Sequence, residues 1–173
     1  MENQLPSRQP LRMSHYDYNT PGAYFLTFCT HNRKTFLSRI IGAIQESPKS
    51  QLTMYGKIVE TFIQNIPAHL HATIDQYVIM PNHVHLIVVI TEADVAREIS
   101  ESPQHNRTII SKLIGFIKMN ASKAIRQHCG DVIVWQRGYY DHAIRNQEDY
   151  LALAEYIQTN PLRWELDKLY SEE

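Results

Sequence analysis

Glycine is scarce in this chain. Six glycines occur among 173 residues, and none falls in a GxGxxG or GxxxxGK[ST] pattern. A Rossmann dinucleotide fingerprint and a Walker phosphate loop are both excluded, so no nucleotide cofactor is expected. Cysteine is scarcer: Cys29 and Cys129 stand far apart and form no CxxC. Two reduced thiols in a cytoplasmic protein are the expectation. The first thirteen residues hold no apolar core of the kind a signal peptide needs. The most apolar run, residues 84–90, is far too short to span a bilayer, so no membrane partner is expected. No fixed-period repeat and no low-complexity tract is present. An excess of charge is missing too, with a formal net charge of -1. On that figure alone, a polyanionic partner looks disfavoured.

The chain does have enough apolar residues to fold. At 43% hydrophobic and 20% charged it is globular, and its length suits one domain with a real core. The net charge hides a gradient. Residues 1–60 sum to +3, 61–106 to -4, 107–145 to +5 and 146–173 to -5. The segment 107–145 carries Arg107, Lys112, Lys118, Lys123, Arg126, Arg137 and Arg145. It is either an anion-facing surface or a solvated helix face.

Residues 1–22 hold three prolines and read as an extended arm ahead of a single domain over 23–173. The aromatic and β-branched run 23–30 reads as a strand, and 31–50 as loop. Met54, Ile58, Phe62 and Ile66 have helical spacing, and Pro67 ends that helix. Residues 73–80 and 83–91 read as a hairpin about Pro81-Asn82. The polar stretch 92–107 reads as loop. Residues 108–128 form a long amphipathic helix with Gly130 as its cap. The mixed stretch 132–145 reads as a fourth strand or bent ribbon. Asn146 caps a last helix that runs to about Asn160. The fold class is α+β. A β-α-β-β-α-β order suits an antiparallel ferredoxin-like sheet with two helices on one face, followed by an additional C-terminal helix.

Nine histidines and ten tyrosines supply the chemistry. His83 and His85 flank Val84 at the start of an apolar strand, so both imidazoles share a face, roughly 7 Å apart along the strand. Such a pair can hold one divalent ion, or can be two satisfied histidines near a turn. Two histidines leave coordination positions open for substrate oxygens, as a Lewis-acid site requires. The last helix offers Tyr156 and Asn160 on one face, one turn apart. An amide oxygen at Asn160 is a fitting hard-metal ligand. The Tyr156 phenol, a weak nucleophile by itself, becomes useful beside a metal that polarises its target. The alternative for Tyr156 is ordinary packing on the sheet.

At this point the chain resembles a family. Tyr16-Asp17-Tyr18, Pro21-Gly22-Ala23-Tyr24-Phe25, Met80-Pro81-Asn82-His83-Val84-His85, Trp135-Gln136-Arg137, Tyr140-Asp141-His142 and Tyr156-Ile157-Gln158-Thr159-Asn160-Pro161 carry the likeness. They are similar to the REP-associated tyrosine transposases, members of the HUH single-tyrosine transposases of small bacterial insertion sequences. The resemblance covers roughly residues 14 to 167. It implies a ferredoxin-like fold, with Tyr156 as nucleophile and His83, His85 and Asn160 as ligands of Mg²⁺ or Mn²⁺. It implies cleavage and rejoining of single-stranded DNA hairpins through a 5′-phosphotyrosine. Lys112, Lys118, Lys123 and Arg126 then become candidate phosphate contacts. Arg137, His142 and Arg145, and Arg12 on the arm, are further candidates. The tyrosine helix acts in cis or is exchanged across a homodimer, and the sequence does not choose. Two other readings stay open: a hairpin-binding regulator without catalysis, and a metal-dependent phosphodiesterase that uses water.

Overall fold

The computed structural model describes residues 20–42, 48–101 and 107–171. The proposed arm, including Arg12, lies outside the described residues except for its last three positions. Four strands form one antiparallel sheet in the order β4-β5-β1-β6. They are β1 (Gly22–Cys29), β4 (Thr73–Ile79), β5 (His83–Ile90) and β6 (Tyr140–Ile144). With α1 (Met54–Gln64) after the first strand and α3 (Ile109–Cys129) before the last, this is the ferredoxin-like β-α-β-β-α-β arrangement. Among the described residues, no helix is long and apolar enough to cross a membrane.

Strand alternation divides the sheet into two unlike faces. Tyr24, Leu26 and Phe28 of β1 join Val84, Leu86 and Val88 of β5 under α1 and α3, in the main core with Val59, Ile63, Leu113 and Ile117. Phe25 and Ile87 point the other way, where α4 (Gln147–Thr159) covers them with Ala154 and Ile157. The register pairs Thr27 with His85 and Cys29 with His83, so both histidines lie on the α4 face. Because α4 packs on its own sheet, Tyr156 meets the histidines of the same chain.

Three segments differ from the sequence expectation. The stretch 31–50 contains a small antiparallel hairpin, β2 (Ser38–Ile41) and β3 (Lys49–Leu52). Its strands are four residues each and mostly polar, too short to show a period-two signal. The stretch 92–107 contains α2 (Glu92–Glu101). Its start is a reciprocal capping box: the Asp94 carboxylate accepts from Thr91 N–H at 2.9 Å, and Thr91 Oγ1 accepts from Asp94 N–H at 3.2 Å. That signal was present in Thr91-Glu92-Ala93-Asp94. In the stretch 132–145 only Tyr140–Ile144 is strand. Ahead of it, Trp135 makes an isolated bridge to Thr30, and Gly138 turns the chain at φ 79°.

The α1 start is seated against the hairpin by contact as much as by capping. Thr53 caps the helix by accepting from Gly56 N–H at 3.2 Å, and its own N–H donates to Leu37 O at 3.0 Å. A Cβ on Gly56 would sit 2.1 Å from Leu37 O, a backbone atom that cannot rotate away. Helix propensity favours Gly56→Ala by about 1 kcal/mol. The clash reverses the sign, and a net destabilisation of roughly 1–3 kcal/mol is expected in urea unfolding. Unchanged or increased stability in the variant defeats this reading of the contact.

Candidate active site

The site lies where β5 begins. Pro81-Asn82 turns the chain in from β4, and Asn82 is fully buried. Its amide nitrogen donates to Leu169 O at 2.8 Å, Arg33 O at 3.3 Å and Ser171 Oγ at 3.0 Å. With its nitrogen engaged this way, Asn82 presents its oxygen to His83 Nδ1 at 2.8 Å. An amide oxygen only accepts, so His83 carries its proton on Nδ1 and leaves the Nε2 lone pair free. His85 Nδ1 lies 2.7 Å from Thr27 Oγ1, its register partner on β1. The two imidazole rings are 4.5 Å apart between centroids, closer than the strand spacing, because they tilt together at 69°.

The tyrosine helix closes the site from above. The Tyr156 ring lies 5.2 Å from His85 and 6.0 Å from Phe25, edge-on to both. Its hydroxyl donates to Asp167 Oδ2 at 3.0 Å. The same oxygen accepts from Asn160 Nδ2 at 2.9 Å, and Leu169 N–H donates to Asp167 Oδ1. Asn160 follows Tyr156 by one turn and is fully buried at the point where α4 gives way to the short turns Asn160–Leu166. Asp167 was absent from the sequence expectation. The residue lies beyond the predicted end of the helix, in the stretch 146–173 noted only for its net charge of -5, and it reaches the site because those turns fold back.

Electrostatics follow from burial. Desolvation lowers the His83 pKa to about 4, against a smaller upward pull from Asp167. Burial also pushes His85 well down, with His83 adding to the effect. The Tyr156 phenol is pushed up to about 12, by burial first and then by the Asp167 carboxylate. Burial works to raise the Asp167 pKa, but the bond from Leu169 N–H, those from Asn160 and Tyr156, and the nearby His83 together hold it below the ordinary carboxylate value. Both histidines are therefore neutral at pH 7, as metal ligands must be.

These shifts predict an acid-sensitive fold. An unfolded histidine titrates near 6.5, and folded His83 near 4. Between those values the unfolded chain binds more protons, so stability falls as pH drops through this window. For His83 the span corresponds to roughly 3 kcal/mol, and His85 adds in the same direction. The depressed Asp167 titrates below the window. Urea midpoints of the metal-free protein should decline from pH 7 to pH 4.5, and less steeply in His83→Ala. A flat profile across that range contradicts the assignment.

The donor set fits a divalent ion. His83 Nε2, His85 Nε2 and Asn160 Oδ1 are all buried without a hydrogen-bond partner. Each such atom costs about 1–3 kcal/mol unless something satisfies it. The ligand atoms of His83, His85 and Asp167 lie within 4.8 Å of one another. Two imidazoles and an oxygen donor suit a borderline or hard cation, with room left for substrate.

The basic candidates are distributed differently from the site. Lys112, Lys118, Lys123 and Arg126 are on α3, across the sheet from the histidines. Lys112 is ion-paired with Glu98 of α2. Lys118 donates to Gln136 O at 2.6 Å and Gly138 O at 2.8 Å, and burial lowers its pKa to about 8. These bonds use one of the three Lys112 donors and two of the three Lys118 donors, which leaves fewer for a phosphate. Lys123 is exposed, and Arg126 donates to Val132 O at 3.0 Å. Arg137 and Arg145 are exposed. His142 lies 3.0 Å from the Asp149 carboxylate, tying β6 to the first turn of α4.

Residues 22–160 match the protein family described as "Transposase IS200 like". An uncharacterized protein of Haemophilus influenzae is 34% identical over 172 residues, covering 94% of this chain and 93% of its own. A REP-associated tyrosine transposase of Escherichia coli is 26% identical over 146 residues, covering 84% and 70%. Among solved structures, a REP-associated tyrosine transposase bound to a REP hairpin superposes with a TM-score of 0.59 at 25% identity, over 87% of this chain and 74% of that one.

Proposed function

Because the chain belongs to the IS200-like transposase family, we propose that it cleaves and rejoins single-stranded DNA at hairpin sites, with Tyr156 as the nucleophile. The observation that carries this is the set of unsatisfied buried atoms, His83 Nε2, His85 Nε2 and Asn160 Oδ1, gathered beside the Tyr156 hydroxyl. By likeness to the hairpin-bound transposase, the substrate is a palindromic repeat folded as a hairpin, and the resemblance to the single-tyrosine transposases implies single-stranded bases flanking it.

His83 and His85, with an oxygen from Asn160 or Asp167, would hold Mg²⁺ or Mn²⁺. The ion would supply charge stabilisation at the scissile phosphate. The remaining steps belong to the chain. Phe25 and His85 hold the Tyr156 ring against the sheet, which limits its freedom and aims the oxygen. Asp167 Oδ2 holds the phenol proton, which must leave before or during attack because the phenol is an acid of pKa about 12. The Tyr156 oxygen then bonds to phosphorus as its proton passes to solvent, and the bond to the 3′ oxygen breaks; that oxygen takes a proton from solvent and leaves as a 3′-hydroxyl. The phosphotyrosine retains an ester of similar energy, so an incoming 3′-hydroxyl can reverse the step without a nucleotide. No phosphate-binding loop is needed, in keeping with the glycine-poor sequence.

The test is incubation of end-labelled hairpin DNA with the protein and Mn²⁺, followed by a denaturing gel. A covalent protein–DNA band supports strand transfer. Metal-dependent cleavage without that band indicates hydrolysis by water, and binding without cleavage indicates a regulator. Either outcome removes the proposal.

A further inference from the structure

Beside the site runs a groove of about 880 Å³ between the β2–β3 hairpin and the turns Asn160–Leu166. We propose that this groove is a subsite for one unpaired base of the DNA flank, stacked on Trp164 and hydrogen-bonded by Ser38. The proposal deepens the strand-transferase reading and rests on it.

Three observations point to a base. The first is continuity with the reacting centre. Trp164 lines the groove, and its indole is 5.9 Å from the His83 ring at a tilt of 37°. Pro81, two residues before His83, lines it as well. A strand whose phosphate lies against the histidines therefore has its neighbouring nucleotide at this groove. The second is the aromatic wall. Tyr170 packs edge-on to Trp164 at 5.2 Å, which holds the indole upright. An indole held in this way offers the planar surface on which unpaired bases stack. Leu166 of the same wall is 86% exposed, an apolar surface left uncovered by the rest of the fold.

The third observation is polar. Ser38 lines the groove and is only 2% exposed, yet its hydroxyl has no hydrogen-bond partner. A hydroxyl shut away from water is normally paired, so this one is a donor and acceptor in wait of a ligand atom. Arg39 and Glu165 stand on opposite walls. Together they add donors and an acceptor suited to the edge of a base, whereas a purely apolar partner would leave all three unsatisfied. The groove thus combines a stacking platform with hydrogen-bonding groups that discriminate among bases.

The experiment uses the full chain in EDTA, so that no cleavage interferes. Two synthetic DNA hairpins are compared by fluorescence anisotropy, one blunt-ended and one with four unpaired nucleotides on each side of the stem. Trp164→Ala should weaken binding of the flanked hairpin roughly 5- to 100-fold and leave the blunt hairpin unchanged. Trp164→Phe should retain most of the affinity. Ser38→Ala removes an unpaired hydroxyl, so its Tm should hold or rise, while affinity for the flanked hairpin falls roughly 2- to 10-fold. An abasic substitution at one flank position should weaken wild-type binding as Trp164→Ala does, and cause no further loss in Trp164→Ala. Equal weakening of both hairpins by Trp164→Ala, or a Ser38→Ala protein that binds the flanked hairpin as the wild type does, overturns the proposal. If the subsite pattern fails but the covalent band still forms with Mn²⁺, strand transfer stands alone. If the pattern holds without any covalent band, the subsite stands and the catalytic reading falls.

Discussion

Tyr156→Phe should abolish the covalent protein–DNA band while leaving the fold and DNA binding intact. The substitution removes one oxygen and keeps the ring. The edge-on contacts to His85 and Phe25 are therefore preserved. Asp167 Oδ2 loses the phenol donor but keeps the bond from Asn160, so the carboxylate is not stranded. The stability change should stay within about 1 kcal/mol. Catalysis is different in scale, because no other hydroxyl replaces the nucleophile among the groups bonded around Asp167. A loss of roughly 10⁴-fold or more in strand transfer is expected, the order seen when a covalent nucleophile is removed. The measurement is the labelled-DNA gel, with anisotropy binding and thermal unfolding as controls. Full cleavage by the Phe variant transfers the chemistry to water and leaves Tyr156 as a packing residue.

His85→Ala should lose the metal response of both activity and stability. In the wild type, Mn²⁺ at about 100 times its Kd should stabilise the fold by roughly 2.7 kcal/mol. For a chain of this size that is an upward Tm shift of very roughly 5–10 °C. Nε2 of His85 is buried and unpartnered, so ligation satisfies it at no cost in broken bonds. The alanine variant has lost that donor, along with the stacked contact to Phe25 at 5.0 Å. Its Tm without metal should also fall, because the truncated ring leaves a cavity against Phe25 and a buried Thr27 hydroxyl without its partner. Thermal unfolding with and without Mn²⁺ separates the two effects. A shift in His85→Ala equal to that of the wild type places the ion elsewhere.

Much of this architecture was legible before any coordinates. The hairpin over Thr73–Ile79 and His83–Ile90 announced itself through two apolar runs broken by Pro81-Asn82. The long helix showed its apolar stripe and its stop, Gly130, whose N–H donates to Arg126 O at 2.9 Å; that Thr108 caps its start, accepting from Ser111 N–H, is visible only in the structure. Alternation placed His83 and His85 on one face, and helical spacing placed Tyr156 near Asn160. These are local signals, carried by residues close in sequence. The short β2–β3 hairpin had no such signal. The capping box of α2 was readable and went unused because the surrounding residues are polar.

Chemical types and their local phase are written directly in the residue order. It specified a histidine pair facing one way from a strand, a tyrosine and an asparagine one turn apart, and a charge balance composed of opposed segments rather than neutral ones. Which groups meet depends on how the chain folds back on itself. Asp167 joins the site because the turns after Asn160 fold back under Asn82, whose amide holds Leu169 O. Lys112 and Lys118, basic in composition, are engaged with Glu98 and with backbone carbonyls. The physical reason is range. Periodicity and capping act over a few residues, whereas burial, pKa and unsatisfied donors depend on neighbours brought from far along the chain, 87 residues away in the case of Asn82 and Leu169.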